Sequence, residues 1–400
     1  MDGASALKVR PFILGWCICL VVMELFGAGF ARSGINASFD FRSFYTAGYL
    51  VRTHPSQLYD LTQQERLQDA LVSKNGFLPF YHPDFEALMY APFSILNYRA
   101  AYLAFIAFNI LLLMAAFFAA RPVFSTIIPW FQPEPGLMFF WFLPLLIAMV
   151  HGQDSILLLL LCCITWRQLE AGKDLSAGCL LALALFKFQI VLPIAVLIAV
   201  RRGWRFAAGF LLASAGVLLL CLGIGGPAGM THYVRLLLGA TSAIDKSALA
   251  QQRLSVFPWA MPNLAGLLYA CGARFLRSPA AFDALIGACA LGVFAWCARM
   301  VRRRDEKVAF SIAILCGLLV SYHLYIYDLT PLLLAVALLA GRAQRYLLLA
   351  LFGLPVVLLP FGSNSFFLLA LPVLAMLTYT VAFTPNAVTS APETAHATPV

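Results

Sequence analysis

LPLLIAMVHGQDSILLLLLCCITWR, residues 143–167, is the stretch that decides the fold class. Two apolar runs flank the polar segment from His151 to Asp154, and the second run ends at Arg167. Such runs are typical of helices that enter a bilayer. The whole chain of 400 residues has the same balance, with 62% hydrophobic and 11% charged residues. Soluble domains carry about 25% charged residues, so the sequence excludes a soluble fold and predicts an all-α polytopic membrane protein.

Apolar runs recur along the chain and predict a bundle of about 12 transmembrane helices. We place them near residues 11–31, 97–120, 136–150, 155–167, 175–187, 188–200, 206–224, 280–299, 308–323, 326–341, 346–361 and 365–383. Several are shorter than the roughly 17–25 residues of a usual crossing, so 136–167 and 175–200 are alternatively broken or re-entrant helices. Together they form one transmembrane domain, 1–383, and a cytoplasmic tail, 384–400, that we expect to be disordered.

The positions of Lys and Arg orient this bundle. Most of them lie in loops that share one side, such as those with Arg201, Arg202 and Arg303. The positive-inside rule therefore places both termini in the cytoplasm. Two long external loops remain, at about 32–96 and 225–279, and leucines at helical spacing in the first predict short amphipathic helices on the membrane surface.

Several common functions lack a sequence signal. The net charge of +9 is explained by the cytoplasmic loops, so we expect no nucleic-acid partner. Of the ten cysteines, only Cys271 lies near a loop, which argues against a disulfide framework or a zinc site. The glycines from Gly223 to Gly226 lack the lysine of a phosphate-binding loop. We therefore expect no nucleotide pocket, cofactor or metal.

Polar side chains from four separate stretches converge at the predicted outer boundary of the bilayer. They are Asp40, then His151, Gln153 and Asp154, then Lys187 and Gln189, and finally His323 and Asp328. Charged groups within spans are costly and usually functional. Each also has a structural interpretation. Asp154 could cap a helix, and Lys187 could extend to the membrane–water interface. His323 could be a hydrogen-bonded histidine at an interface, and Asp328 could pair with His323 or cap a helix.

A carboxylate, a cation and a long external loop at this depth suit the transfer of a group from a lipid-linked phosphate. Lys187 is placed to stabilise the leaving phosphate, and Asp40 or Asp154 to act as the general base that activates the acceptor hydroxyl. Because a lipid carries the donor, such an enzyme needs no nucleotide site.

Seven short segments, in this order, resemble glycosyltransferase family 87. They are Asp40–Gly48, Leu58–Asp60, Phe80–Pro83, His151–Ser155, Phe186–Gln189, Trp204–Arg205 and Ser321–Thr330. The family consists of polytopic GT-C enzymes that use polyprenyl-phosphate-linked sugars, typically mannose. One departure follows Pro83, where a second proline and an apolar residue are expected but Asp84, Phe85 and Glu86 stand.

The resemblance implies a GT-C-like bundle and an inverting hexosyl transfer with Asp40 as the general base. On the donor phosphate and sugar side it implies Lys187, His151, Gln153, Asp154, Gln189, His323 and Asp328. On the acceptor side of the first loop it implies Tyr45, Tyr59, Tyr81 and His82. The implied partners are a polyprenyl-phosphate-linked sugar, a lipid or glycan acceptor and membrane lipids, and the implied location is a bacterial plasma membrane with the site facing outward.

Two other interpretations stay open at the level of sequence. A transporter or flippase of lipid-linked sugars also needs polar groups within the membrane, although such proteins commonly have repeated halves and polar groups near the midplane. A membrane scaffold without activity is the third possibility. A substrate path to both faces would favour the transporter.

Overall fold

A computed structural model describes residues 40–74, 76–125, 142–241, 257–272, 279–340 and 345–383. Every regular element within these ranges is helical, which confirms the predicted all-α class. The predicted first span, 11–31, and the tail, 384–400, lie outside the described residues.

The segment predicted to be the first external loop contains short helices, as expected. They are α1 (Phe41–Thr53), α2 (Leu61–Leu71) and α3 (Asp84–Tyr90), with 3₁₀ turns at Pro55–Gln57 and Phe93–Ile95. The carboxylate of Asp60 accepts hydrogen bonds from the backbone N–H groups of Thr62 and Gln63, which fixes the start of α2. Buried aromatic rings, among them Phe44 stacked on Tyr90, hold α1 against α3. The loop is therefore a packed unit.

The remaining helices form the bundle. In chain order they are α4 (Tyr98–Ala119), α5 (Arg121–Phe124), α6 (Leu143–His151), α7 (Ser155–Glu170), α8 (Asp174–Ala182), α9 (Phe188–Arg202), α10 (Trp204–Thr241), α11 (Leu264–Gly272), α12 (Pro279–Val301), α13 (Glu306–Val320), α14 (Leu332–Leu339), α15 (Arg345–Leu358) and α16 (Ala370–Phe383). Short 3₁₀ segments lie at Leu185–Lys187, Pro258–Ala260, Ile326–Leu329, Leu359–Phe361 and Ser363–Leu369.

The predicted count of twelve spans is not confirmed. Among the described helices, four are long and apolar enough to cross a membrane, at Tyr98–Ala119, Trp204–Leu238, Ala280–Val301 and Ser363–Phe383. A fifth results if α8 and the segment Leu185–Arg202, bent by 62°, count as one broken span. The alternative of a broken or re-entrant helix at 175–200 therefore fits better than two separate crossings.

Gly152 produces the helix break within residues 143–167. Gly152 ends α6 with a φ of 66°, a left-handed conformation that favours glycine. A Cβ at this position would lie 2.7 Å from Cβ of Phe41. Only a residue without a side chain lets α1 come this close. The contact brings Gln153 next to Asp40, the neighbour of Phe41.

The helix α10 extends beyond the predicted end of the seventh span at residue 224. We expected an external loop from about residue 225. Instead Gly226 takes a φ of 66° and the helix resumes with Pro227, which is tolerated in a first helical turn. The carboxylate of Asp84 rests against this kink, since Oδ2 lies 2.3 Å from where a Cβ on Gly225 would be.

Candidate functional site

One cavity of about 790 Å³ lies between the segment with α1 to α3 and the bundle. Its wall comes from the start of α1, residues 77–83, the end of α6, the start of α9, residues 322–328 and the turn before α16. The predicted site residues that line it are Asp40, Tyr81, His82, His151, Gln153, Lys187, Gln189, His323 and Asp328. The structure thus brings groups from all four predicted stretches into one space.

The carboxylate of Asp40 faces this cavity. Oδ2 accepts a hydrogen bond from Nε2 of Gln153 at 2.7 Å and lies 3.2 Å from Nδ1 of His151. Asp40 stands at the N-cap position of α1, yet its side chain makes no capping hydrogen bond. Burial acts to raise the pKa of Asp40, but His151, Gln153 and Lys187 together hold the pKa below its ordinary value. The group is therefore ionised at neutral pH, which is the form that a base requires.

The helix α4 fixes the polar turn that contacts Asp40. The hydroxyl of Tyr102 donates to the carbonyl of Val150 at 2.7 Å, and Nδ2 of Asn109 donates to the carbonyl of Gln153 at 3.1 Å. Both donors are buried. These bonds satisfy carbonyls that the helix break leaves open, and they hold the turn rigidly beside the cavity.

The ammonium group of Lys187 is enclosed by protein acceptors. Nζ lies 3.2 Å from Oδ1 of Asp154, 3.2 Å from Oδ1 of Asp328 and 3.2 Å from Oε1 of Gln153. The contact with Gln153 is a hydrogen bond, and the contacts with the two carboxylates are ion pairs. The side chain is only 2% exposed. It is therefore not a lysine that extends its ammonium group to the membrane–water interface, which was the structural alternative. A donor phosphate would have to compete with two carboxylates for this cation.

Asp154 does not line the cavity. It stands at the N-cap of α7 without a capping hydrogen bond from its side chain, so the alternative of a helix cap is wrong. Its side chain is fully buried behind Gln153 and pairs with Lys187. Asp328 has two roles, because it pairs with Lys187 and its Oδ2 also accepts the backbone N–H of Tyr325 at 3.0 Å.

Glu86 completes a buried acidic cluster that sequence reasoning missed. Its side chain is buried, interacts with that of Asp154, and places Oε2 3.0 Å from Nδ1 of His82. Two carboxyl groups that interact in a buried site repel each other unless one of them carries a proton. Burial raises the pKa of Glu86 to about 8, although Asp154 and Lys187 act to lower it. The departure from the family pattern after Pro83 was the available signal.

We expect the Glu86→Gln substitution to stabilise the protein at alkaline pH. The pKa of Glu86 rises from an ordinary 4.5 to about 8 in the fold. The stability contributed by the protonated group is therefore complete below about pH 4.5 and is lost as pH rises through about 8. Glutamine keeps the neutral form throughout, so the variant should lose less stability over this range, by on the order of a few kcal/mol. The Tm in detergent, measured against pH, tests this.

Glu65→Gln on α2 is the matched control for this experiment, because it removes the same charge outside the cluster. Its Tm should follow the wild-type dependence on pH. Parallel Tm curves for wild type and Glu86→Gln would mean that Glu86 is not protonated in the fold.

Two tyrosines predicted on the acceptor side lie away from the cavity wall. The hydroxyl of Tyr45 donates to the carbonyl of Leu96 at 2.8 Å, and that of Tyr59 donates to the carbonyl of His82 at 2.9 Å and contacts Asp84. Both therefore support the loop. Tyr81 and His82 do line the cavity, and the ring of Tyr81 meets that of His323 edge to face at 6.1 Å.

His323 is held on the opposite wall by its own loop. The hydroxyl of Ser321 donates to the carbonyl of His323 at 2.7 Å, and Nδ2 of Asn263 donates to the carbonyl of Ser321 at 2.7 Å. The ring of Tyr325 packs edge to face on that of His323 at 4.7 Å. The aromatic side chains of this loop thus form part of the cavity wall.

The described residues contain no group of three or more His, Cys, Asp or Glu side chains arranged to hold a metal ion.

Comparison with known families gives one match. The model of glycosyltransferase family 87 matches residues 80–326. This range is more than half of the chain and includes the polar turn of α6, Lys187 and His323, whereas Asp40 and Asp328 lie outside it. No match is found among curated proteins or among solved structures.

Proposed function

Because the chain belongs to glycosyltransferase family 87 and is thus a membrane glycosyltransferase, we propose that it moves a hexose from a polyprenyl-phosphate-linked donor to a lipid or glycan acceptor. Mannose is the first candidate for the sugar. The proposal includes inversion at the anomeric carbon and Asp40 as the general base.

The observation that carries the proposal is the state of Asp40. Its carboxylate is ionised and held by Gln153 and His151, and it faces a cavity of about 790 Å³. In the proposed reaction the acceptor hydroxyl gives its proton to Asp40 as its oxygen attacks the anomeric carbon. The bond from that carbon to the phosphate oxygen breaks on the opposite face, which inverts the configuration, and polyprenyl phosphate leaves.

The composition of the cavity wall supports a lipid-linked donor. Beside the polar groups, the wall contains Leu143, Leu146, Ile147, Leu359 and Phe366. These side chains provide apolar contact for the first isoprenoid units next to the sugar phosphate. The volume is in the range of about 300–1,000 Å³ that is usual for ligand pockets.

The ends of α9 support a site on the outer side of a plasma membrane. The helix starts next to Lys187 at the cavity and ends at Arg201 and Arg202, which pair with Glu306 and Asp174. The basic end therefore lies about 20 Å from the cavity at 1.5 Å per residue. Under the positive-inside rule this end faces the cytoplasm, and we propose a bacterial inner membrane with the cavity toward the periplasm.

A transporter or flippase of lipid-linked sugars is less favoured. The described polar groups meet at one end of the bundle, and the family that the chain belongs to consists of transferases.

The direct test is transfer by the purified full-length chain in detergent. Polyprenyl-phosphate-mannose with a radiolabelled sugar is mixed with a total lipid and glycan extract as the acceptor source. We expect label in an acceptor fraction and release of polyprenyl phosphate, and an anomeric configuration opposite to that of the donor by NMR. A nucleotide-linked mannose serves as the matched donor control. Transfer from that donor alone, or retention of configuration, would contradict the proposal.

A further inference from the structure

We propose that Lys187 and Gln153 act together as positioning residues for Asp40, and that Oδ1 of Asp40 is the oxygen that takes the proton. This inference rests on the proposed function for its chemistry, because it assigns an atom within the proposed general base. It gives Lys187 a role other than binding the donor phosphate.

The orientation of the Gln153 carboxamide follows from its two neighbours. At one end lies Nζ of Lys187, which can only donate hydrogen bonds, 3.2 Å from Oε1. At the other end lies the carboxylate of Asp40, which can only accept, 2.7 Å from Nε2. Both neighbours require the same orientation, since a flipped amide would place N–H against ammonium and oxygen against carboxylate.

Lys187 is itself held in place from three directions. Asp154 and Asp328 contact its ammonium, and the hydroxyl of Ser155 donates to Oδ1 of Asp328 at 3.0 Å. The hydroxyl of Thr330 in turn donates to the carbonyl of Ser155. All of these side chains are buried. The position of Nζ is therefore fixed by α7, α9 and the turn before α14.

The contacts of Asp40 distinguish its two oxygens. Oδ2 accepts from Gln153 and lies against Nδ1 of His151. Within the described part of the chain, Oδ1 has no such contact. An acceptor hydroxyl that approaches Oδ1 meets an oxygen with both lone pairs available. After proton transfer, Oδ1 carries the proton and Oδ2 keeps its hydrogen bond from Gln153, so the positioning is unchanged through the reaction.

Several titratable groups face Asp40 and influence its protonation. They are His151 on α6, Lys187 before α9, Tyr81 and His82 before α3, and His323, Tyr325 and Tyr327 before α14. Gln153 differs from them because it donates a hydrogen bond to the carboxylate and has no titratable proton. A charge placed there therefore reports on the contact with Asp40.

Gln153→Glu tests the inference, because it preserves shape and the contact with Lys187 but replaces the N–H donor with a carboxylate oxygen. Modification of Asp40 by dicyclohexylcarbodiimide, which reacts with protonated carboxyl groups, is followed by mass spectrometry against pH. We expect the pH midpoint of modification to rise by about one pH unit or more. The pH midpoint of the acid limb in the profile of kcat against pH should rise by the same amount. KM should change less.

Gln189→Glu is the matched control, since it adds the same charge to the same cavity wall without contacting Asp40. In this control, the pH midpoint for modification of Asp40 should rise by less than in Gln153→Glu. An equal or larger rise in the control would overturn the inference, as would an unchanged midpoint in Gln153→Glu. If the wild type transfers no sugar from the lipid-linked donor, that result would count against the proposed function. Carbodiimide modification needs no substrate, so it tests the positioning of Asp40 separately.

Discussion

The Asp40→Asn substitution is expected to reduce kcat for glycosyl transfer by about 10²- to 10⁴-fold. Asparagine has nearly the same shape and can still accept the hydrogen bond from Gln153, but it cannot take a proton from the acceptor hydroxyl. KM for the lipid-linked donor should change little, because the carboxylate acts on the acceptor. The measurement is the initial rate of sugar transfer at saturating donor.

The structure offers a matched control for this variant. Asp69→Asn removes the same charge from an exposed position on α2, and it should transfer at the wild-type rate. The Tm of Asp40→Asn should remain close to that of the wild type, because the carboxylate makes no capping bond to α1. Rates near wild type in Asp40→Asn would remove this residue from the mechanism.

Lys187→Met is expected to have the largest effect on folding. The substitution leaves Asp154 and Asp328 buried without the cation that pairs with them. Removing one partner of a buried ion pair costs about 3–5 kcal/mol, which is a large part of the stability of most domains. We expect a strongly lowered Tm in detergent and a small monodisperse fraction in size-exclusion chromatography.

Removing the unbalanced acids should restore part of this loss. The triple variant Lys187→Met, Asp154→Asn, Asp328→Asn carries no uncompensated charge at this point, so its Tm should exceed that of Lys187→Met alone. Lys307→Met, at an exposed position on α13, is the control for the loss of a lysine as such. An unchanged Tm for Lys187→Met would show that the cluster does not depend on this cation.

The membership of the site was largely predictable from the sequence, but its contacts were not. In so apolar a chain, polar groups such as Asp40, Gln153 and His323 are few, and each needs a partner or a purpose. This scarcity indicated the residues that line the cavity. It did not indicate that Lys187 is already paired with two protein carboxylates, because a lysine near a boundary has the same sequence signal whether it binds phosphate or protein.

Helix boundaries were harder to predict for a related reason. Hydropathy detects apolar runs such as those of α4 and α12, whose bounds fall within a few residues of the predicted spans. It does not detect the direction of the chain at a break. Gly152 and Gly226 both take a positive φ and interrupt a helix, but a short polar turn follows Gly152, whereas a second helical segment starts directly after Gly226 at Pro227. Gly152 packs against Phe41, and Gly225, next to Gly226, packs against Asp84. Such tertiary contacts are not visible in a hydropathy pattern.

The buried cluster also determines when the site can be completed during synthesis of the chain. Ser155 and Asp328, which bond directly, are separated by 173 residues. At translation rates of about 5–20 residues per second, the synthesis of that interval takes roughly ten to thirty seconds. During this time Lys187 and Asp154 have been synthesised without Asp328, the second carboxylate that contacts Lys187. The emergence of the segment around Asp328 is therefore the step that completes the contacts of Lys187, and chains that stop before it carry an incomplete cluster.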